Sequence, residues 1–410
     1  MRKTRHILHS DANCFYASVE TVLNPDLRDK AVAVCGSEEE RHGIVLAKSE
    51  KAKQAGVTTG MPNWKARELC PDLIIVKPHF EYYSKFSKML RSIYERYTDY
   101  IEPFGLDECW LDVTDSLMAP MEIAEEIRQA VKDELGLTVS IGVSFNKVFA
   151  KLGSDYKKPD AITEITEENF KKIVYPLPCG DILYCGRSTR EQLNRIGVRT
   201  IGELADLKPE YMQMKFGKNG MELWNFANGL DISEVAHKDH IEPPKSVGHG
   251  ITCVEDIKTL DEAEAVIYTL CQDIGYKLRG MDVRAKGVSL GVKDEHLAYQ
   301  SFRARLEIGT QDEGKIAKTA MEILRKHHDP RRGIRALTVT AISLESARDI
   351  EQIDMFYDYE AMERQNKLNE VIDLIKNEYG KDAICPAVIL NEDKMPKKEQ
   401  GKVLPGKMHK

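Results

Sequence analysis

Two stretches decide the reading of this 410-residue chain: His6-Ile7-Leu8-His9-Ser10-Asp11, and Ile101-Glu102-Pro103-Phe104-Gly105-Leu106-Asp107-Glu108-Cys109-Trp110-Leu111-Asp112-Val113. Both are strand-like, and both carry acid among apolar residues that would pair in a sheet. Burying an Asp-Glu pair there is costly unless a cation neutralises it, and three hard carboxylate oxygens suit Mg²⁺. Two such ions, ~4 Å apart, are the usual device for in-line phosphoryl transfer. By composition alone, Asp107 and Glu108 could be ordinary turn or edge acids. The residues after Asp11 weigh against that reading. Asp11-Ala12-Asn13-Cys14-Phe15-Tyr16-Ala17-Ser18-Val19-Glu20 breaks a strand directly into a helix. Free backbone N–H groups then face whatever the carboxylates hold, and a triphosphate fits such a place.

The segment after Asp11 resembles the first motif of the Y-family translesion DNA polymerases, the bacterial polymerase IV and V branch or ImpB/MucB/SamB family. Gly105-Leu106-Asp107-Glu108-Cys109-Trp110-Leu111-Asp112-Val113-Thr114-Asp115 and Ser140-Ile141-Gly142-Val143-Ser144-Phe145-Asn146-Lys147-Val148-Phe149-Ala150-Lys151 resemble two more. The likeness runs in order from about residue 5 to residue 347. It implies an α+β multidomain fold, a right-hand polymerase. A ferredoxin-like palm would cover 1–20 and 77–165, and small fingers 21–76. A helical helix-hairpin-helix thumb would follow at 166–232, then a linker at 233–244, an α/β little finger at 245–347 and a tail at 348–410. The implied activity is template-directed transfer of a nucleotide from a dNTP to a primer 3′-hydroxyl, with low fidelity and no proofreading, in the SOS response to DNA damage.

The same resemblance assigns residues. Asp11, Asp107 and Glu108 would be the catalytic acids and would bind two Mg²⁺, with the carbonyl of Ala12 as a further ligand. Cys14, Phe15 and Tyr16 would line the substrate, Tyr16 as a steric gate against a 2′-hydroxyl. Ile44 and Leu46, on the strand after Gly43, would roof the nascent base pair, and Lys53 and Lys158 would meet the triphosphate. Position 50 departs from the pattern, because Glu50 stands where a Tyr often bonds a phosphate. An ionised acid cannot donate to phosphate, so Glu50 either pairs with Lys48, Lys51 or Lys53 or marks a different site. DNA contacts would come from Gly186, Gly217, Lys218 and Gly220 in the thumb hairpins, from Lys245 and Ser246 at the entrance to the little finger, and from Arg303, Arg305 and Arg335. A second departure is Tyr184, where the first hairpin usually has Gly. Finally, Glu351-Gln352-Ile353-Asp354-Met355-Phe356 resembles a sliding-clamp peptide anchored by Gln352, Met355 and Phe356; the rival reading is the first turn of a helix around 360–378.

Composition bounds the rest. The chain is long enough for several cores. No apolar run approaches the ~20 residues that span a bilayer, and the N-terminus leads into a strand rather than a signal sequence. Nine scattered cysteines read as reduced thiols in a cytoplasm. A net charge of −7 argues against a globally basic DNA-binding footprint. Clusters at Lys147, Lys151, Lys157 and Lys158, and at Arg331, Arg332 and Arg335, leave room for modest, salt-sensitive affinity by a monomer. Periodicity predicts helices over 82–97, 121–135, 261–279 and 313–327, and strands over 111–113, 138–143, 288–293, 302–306 and 337–344. Residues 393–410, Lys-rich with Pro and Gly, read as disordered. Two other classes compete: a clamp-tethered DNA-binding subunit whose catalysis has lapsed, against which the intact acids speak, and a palm-type nucleotidyl cyclase, which needs neither thumb hairpins nor a clamp peptide.

Overall fold

The computed structural model describes residues 4–41, 43–349, 358–380, 383–390 and 393–395. The chain divides into two compact units: one holds the residues up to Gly36 and Ile44–His240, the other Ser37–Gly43 and the described residues from Ile241 onward.

The first unit begins with β1 (Ile7–Ala12) and α1 (Phe15–Leu23). A small excursion follows: β2 (Val32–Cys35), β3 (Val45–Lys48), α2 (Glu50–Gln54), α3 (Asn63–Leu69) and β4 (Ile74–Val76). Its three-stranded sheet, ordered β3-β2-β4, closes over a separate core that includes Ala33, Cys35, Val45, Ala52 and Ala66. The chain returns through α4 (Phe80–Tyr94), β5 (Ile101–Pro103), β6 (Glu108–Asp112), α5 (Pro120–Leu135), β7 (Val139–Ser144), α6 (Lys147–Tyr156) and β8 (Ile162–Ile165). These build a five-stranded sheet in the order β5-β6-β1-β7-β8, with β1 antiparallel to both β6 and β7.

Every residue of β1 is buried, so both of its faces are covered. Successive side chains point to opposite faces. Leu8 joins the core that contains Leu90, Ile93, Ile123 and Ile127 of α4 and α5, and Ser10 Oγ lies 3.0 Å from Tyr94 Oη. On the other face Ile7 packs with Trp110 and with Ala150 of α6. Helix α6 lies so close to β7 that a Cβ on Gly142 would stand 1.8 Å from the Ala150 carbonyl oxygen. Glycine is required there by space rather than by backbone angle.

Four further helices complete this unit: α7 (Phe170–Val174), α8 (Arg187–Arg195), α9 (Ile201–Ala205) and α10 (Pro209–Ala227). Their core, with Leu193, Ile201, Leu204, Met212 and Leu223, is continuous with Val148 and Phe149 of α6. Gly217, at φ 62° and ψ −143°, splits α10 into two arms, a conformation open in practice only to glycine. Tyr184 takes φ 65°. Tyr184, which stands where the resemblance leads one to expect Gly, thus combines a left-handed backbone with a side chain.

In the second unit β9 (Ser246–Ile257), α11 (Leu260–Gly280), β10 (Val283–Asp294), β11 (Tyr299–Thr310), α12 (Glu313–His327) and β12 (Ile334–Ser346) form an antiparallel sheet, ordered β11-β10-β12-β9. Val266, Leu270, Ile274, Ile316, Ala320 and Leu324 of α11 and α12 close one face against Val288, Leu290, Leu337 and Val339. Just past Lys245, at the entrance to this unit, Ser246 opens a twelve-residue edge strand, β9. The helix expected around 360–378 is α13 (Tyr359–Tyr379), which is docked through ionic and polar contacts. Arg279 of α11 bonds Asp373 at 2.6 and 2.9 Å and Glu313 at 2.8 Å. Residues 393–395, read as disordered, also pack: the Val254 amide donates to the Lys394 carbonyl at 2.9 Å. The clamp-like segment 351–356 lies outside the described residues. Among the described residues no helix is long and apolar enough to cross a membrane.

Candidate active site

The sheet register assembles the acids. Asp11 on β1 is the cross-strand partner of Glu108 on β6, and the Ala12 amide donates to the Asp107 carbonyl at 3.1 Å. Arg91 Nη2 donates to the Gly105 carbonyl at 3.3 Å and so ties down the turn before Asp107. The three acids, 96 or more residues apart in part, thus share one end of the sheet. Burial and repulsion from Asp11 and Glu108 push Asp107 up to about 7. Burial likewise pushes Asp11 up to about 6, against the pull of Lys158. Glu108 is also desolvated, but His9 and Lys151 outweigh that and hold it down to about 2.

Two lysines attend the acids. Lys158 Nζ lies 2.5 Å from Asp11 Oδ2 and 2.6 Å from Asp155 Oδ1, and Lys151 pairs with Glu108 Oε2. His9, wholly buried, has Nε2 3.4 Å from Glu108 Oε2 and Nδ1 2.8 Å from Ser154 Oγ. Burial lowers its pKa to about 4. With Asp11 turned to one lysine and Glu108 to the other, no three His, Cys, Asp or Glu side chains converge as a ligand set among the described residues. The donor chemistry nevertheless fits a hard divalent cation: carboxylate oxygens, two of them on acids held up by desolvation and like charge, which a cation would relieve.

Below the acids, the Asn13 turn is fixed from both sides. Its Nδ2 donates to Thr138 Oγ1 at 3.1 Å, and its Oδ1 accepts from Ser140 Oγ at 2.9 Å. Cys14 follows at φ 50° as the N-cap of α1, with Phe15 buried behind it. The half-buried Tyr16 ring is stacked on Tyr83, centroids 4.2 Å apart and planes at 11°, with Phe80 edge-on at 6.0 Å. Tyr83 in turn donates to buried Glu20. The sequence reading missed this backing, because Tyr83 reads only as one apolar-face residue of α4.

Of the triphosphate candidates, Lys158 stands at the acids, and Lys53 is half exposed with Nζ 3.4 Å from Glu50 Oε1. Glu50 therefore pairs with Lys53, one of the three partners considered. Ile44 does not lie on a strand as expected. It makes an isolated bridge to Pro62 just before β3 and is exposed, while Leu46 is within β3. The basic cluster at 147–158 is also corrected: Lys147 is buried, 2.6 Å from Glu102 Oε1 and 4.7 Å from the Trp110 ring centroid, so its charge is met inside the fold.

The DNA candidates divide by unit. In the first, Gly186 caps α8 and Gly217 bends α10, with Lys218 and Gly220 in the arm that follows. In the second, Lys245 lies 3.0 Å from Glu242 and Ser246 opens β9. Arg303 and Arg305 alternate outward on β11 and line one concavity with Lys286, Ser343 and Glu345, while Arg335 is partly buried on β12. Arg331 and Arg332 are paired with Asp329 and Asp294 at 2.9 and 3.0 Å, which reduces the positive charge anticipated there.

Right-hand architecture and a carboxylate site at a sheet end define the class, and comparison with known proteins agrees. The impB/mucB/samB family model matches residues 10–155 and its C-terminal domain model residues 244–355; between them, 185–231 match a model described as the DNA polymerase-iota thumb domain. A protein named DNA polymerase IV from Acetivibrio thermocellus is 44% identical over 391 residues, 95% of this chain and 98% of that one. DNA polymerase IV 2 of Bacillus subtilis is 33% identical over 95% of this chain and 96% of its own. A solved Y-family DNA polymerase chimera superposes with a TM-score of 0.74 at 23% identity, covering 83% of this chain and 99% of the other. The chain belongs to the impB/mucB/samB family and has the Y-family polymerase fold: palm, fingers, thumb and little finger.

Proposed function

We infer that the chain is a DNA-directed DNA polymerase for translesion synthesis, adding dNTPs to a primer 3′-hydroxyl without proofreading. The observation that carries this reading is the β1–β6 register, which puts Asp11 beside Asp107 and Glu108 at the N-terminus of α1. Asp11, Asp107, Glu108 and the Ala12 carbonyl would hold two Mg²⁺, which when bound activate the attacking hydroxyl and stabilise the leaving oxygens. The remaining work belongs to the chain's own groups. The α1 turn at Cys14 and Phe15 offers backbone N–H groups to the triphosphate, Lys53 and Lys158 supply positive charge, and the braced Tyr16 ring excludes a 2′-hydroxyl. Ile44 and Leu46 cover the base pair. Thumb hairpins and the little-finger arginines bind the duplex backbone, and Gln352, Met355 and Phe356 bind a sliding clamp.

A lapsed, purely DNA-binding subunit is disfavoured by the convergence of a buried Asp11 with the partly buried Asp107 and Glu108, which nothing in a binding role would require. Primer extension on undamaged and damaged templates tests the reading. Asp107→Ala should abolish nucleotide addition, a loss of several kcal/mol in barrier on the order expected for metal-held charge stabilisation, while primer-template binding persists. More than about a tenth of wild-type extension in that protein would remove Asp107 from the catalytic set.

A further inference from the structure

The acid at position 50 stands between two groups that a triphosphate needs. Glu50 opens α2, whose N-cap Ser49 accepts from the Ala52 amide. One carboxylate oxygen, Oε1, accepts from the Cys14 thiol at 3.3 Å and lies 3.4 Å from Lys53 Nζ. Cys14 is the N-cap of α1, at the turn that follows Asp11. Lys48 and Lys51 are engaged elsewhere, the first with Thr59 Oγ1 at 3.2 Å and the second with the Asp29 carbonyl. Lys53 is therefore the cation this acid holds. A carboxylate within reach of an ammonium competes with phosphate oxygens for it, and it repels an arriving polyanion.

We propose that Glu50 determines the affinity for the incoming nucleoside triphosphate, holding Lys53 and keeping an opposing charge at the mouth of the site. The proposal rests on the polymerase reading. Binding must first detach Lys53 from Glu50, so the acid weakens the grip on the triphosphate tail while touching none of the reacting atoms. Contacts made equally in ground and transition state govern KM rather than kcat. A loosened tail leaves base pairing with the template a larger share of the selection.

Glu50→Gln removes the charge but keeps an oxygen for the Cys14 thiol. On an undamaged primed template its KM for dNTP should fall about five- to tenfold with kcat changed less than about twofold. The dissociation constant of an unreactive dNTP analogue on the protein–DNA complex should fall in parallel. In a Lys53→Ala background the same substitution should have less than about half that effect, since contacting groups are non-additive. An unchanged KM would make Glu50 a strut between α1 and α2, and a raised KM would make it a positioner of Lys53; either overturns the proposal. The wild-type control separates the two readings. Extension by wild type with an unmoved KM in the variant rejects the role of Glu50 alone. Failure of wild type to extend a primer rejects the polymerase reading, and the analogue's dissociation constant then still decides Glu50.

Discussion

In the proposed reading Tyr16 works by occupying space, and an excluding side chain is only as good as its backing. Here the backing is the stacked Tyr83 ring, itself held by its bond to Glu20. Tyr16→Ala should therefore open room for a 2′-hydroxyl without disturbing the acids, raising ribonucleotide use relative to deoxyribonucleotide use on the order of 10- to 100-fold. The ratio of kcat/KM for matched ribo- and deoxyribonucleotides measures it, and an unchanged ratio would return Tyr16 to the core. At this scale the approach of Asp11 to Asp107 and Glu108 was legible, because a strand ending in acid and turning into a helix is a local pattern, while the part given to Tyr16 came with the resemblance. The roles of Tyr83 and His9 were not. Each depends on a partner brought close only by tertiary packing, as when His9 of β1 meets Ser154 of α6 at 2.8 Å.

Among the elements, α6 carries the most consequence, since Lys151 and Ser154 ride on it toward Glu108 and His9. Its closeness to β7 depends on Gly142. Gly142→Ala should push the helix off the sheet and destabilise the protein by about 1–3 kcal/mol, the usual cost of overpacking. Urea denaturation would read the lowered midpoint, and primer extension should fall with it. Asp107→Ala offers the contrast: it should lose extension with no loss of midpoint, because it removes a partly buried acid repelled by its neighbours. Elements with clean periodicity, such as α5, β7 and α12, were legible to within a few residues. β9 was not, because Gly248 and Gly250 lie against Thr340 and Thr338 and leave only Val247, Cys253 and Ile257 as buried apolar signals along its length. The docking of α13 was equally hidden, since an ionic interface built on Arg279 shows no apolar stripe.

For the whole molecule, a net charge of −7 means that no global positive field assists DNA binding, and several anticipated basic groups are spent on internal acids. Tethering is then the natural remedy. Replacing Gln352, Met355 and Phe356 together by Ala should spare synthesis on short primers yet remove stimulation by a loaded clamp, an effect of effective concentration worth ~10²-fold or more. Equal stimulation of variant and wild type on a long circular template would exclude that segment as the anchor. The overall architecture was legible because its motifs occur in order along the chain, whereas the small strip at 393–395 had no such signal, being three residues in a Lys-rich run. That strip has a colloidal consequence. By accepting from the Val254 amide, the Lys394 carbonyl occupies part of the outermost strand of its sheet, where unpaired backbone groups otherwise template the addition of foreign strands. A chain ended at Leu390 should keep its polymerase activity but become sticky, with stronger concentration-dependent association in light scattering than the 410-residue chain.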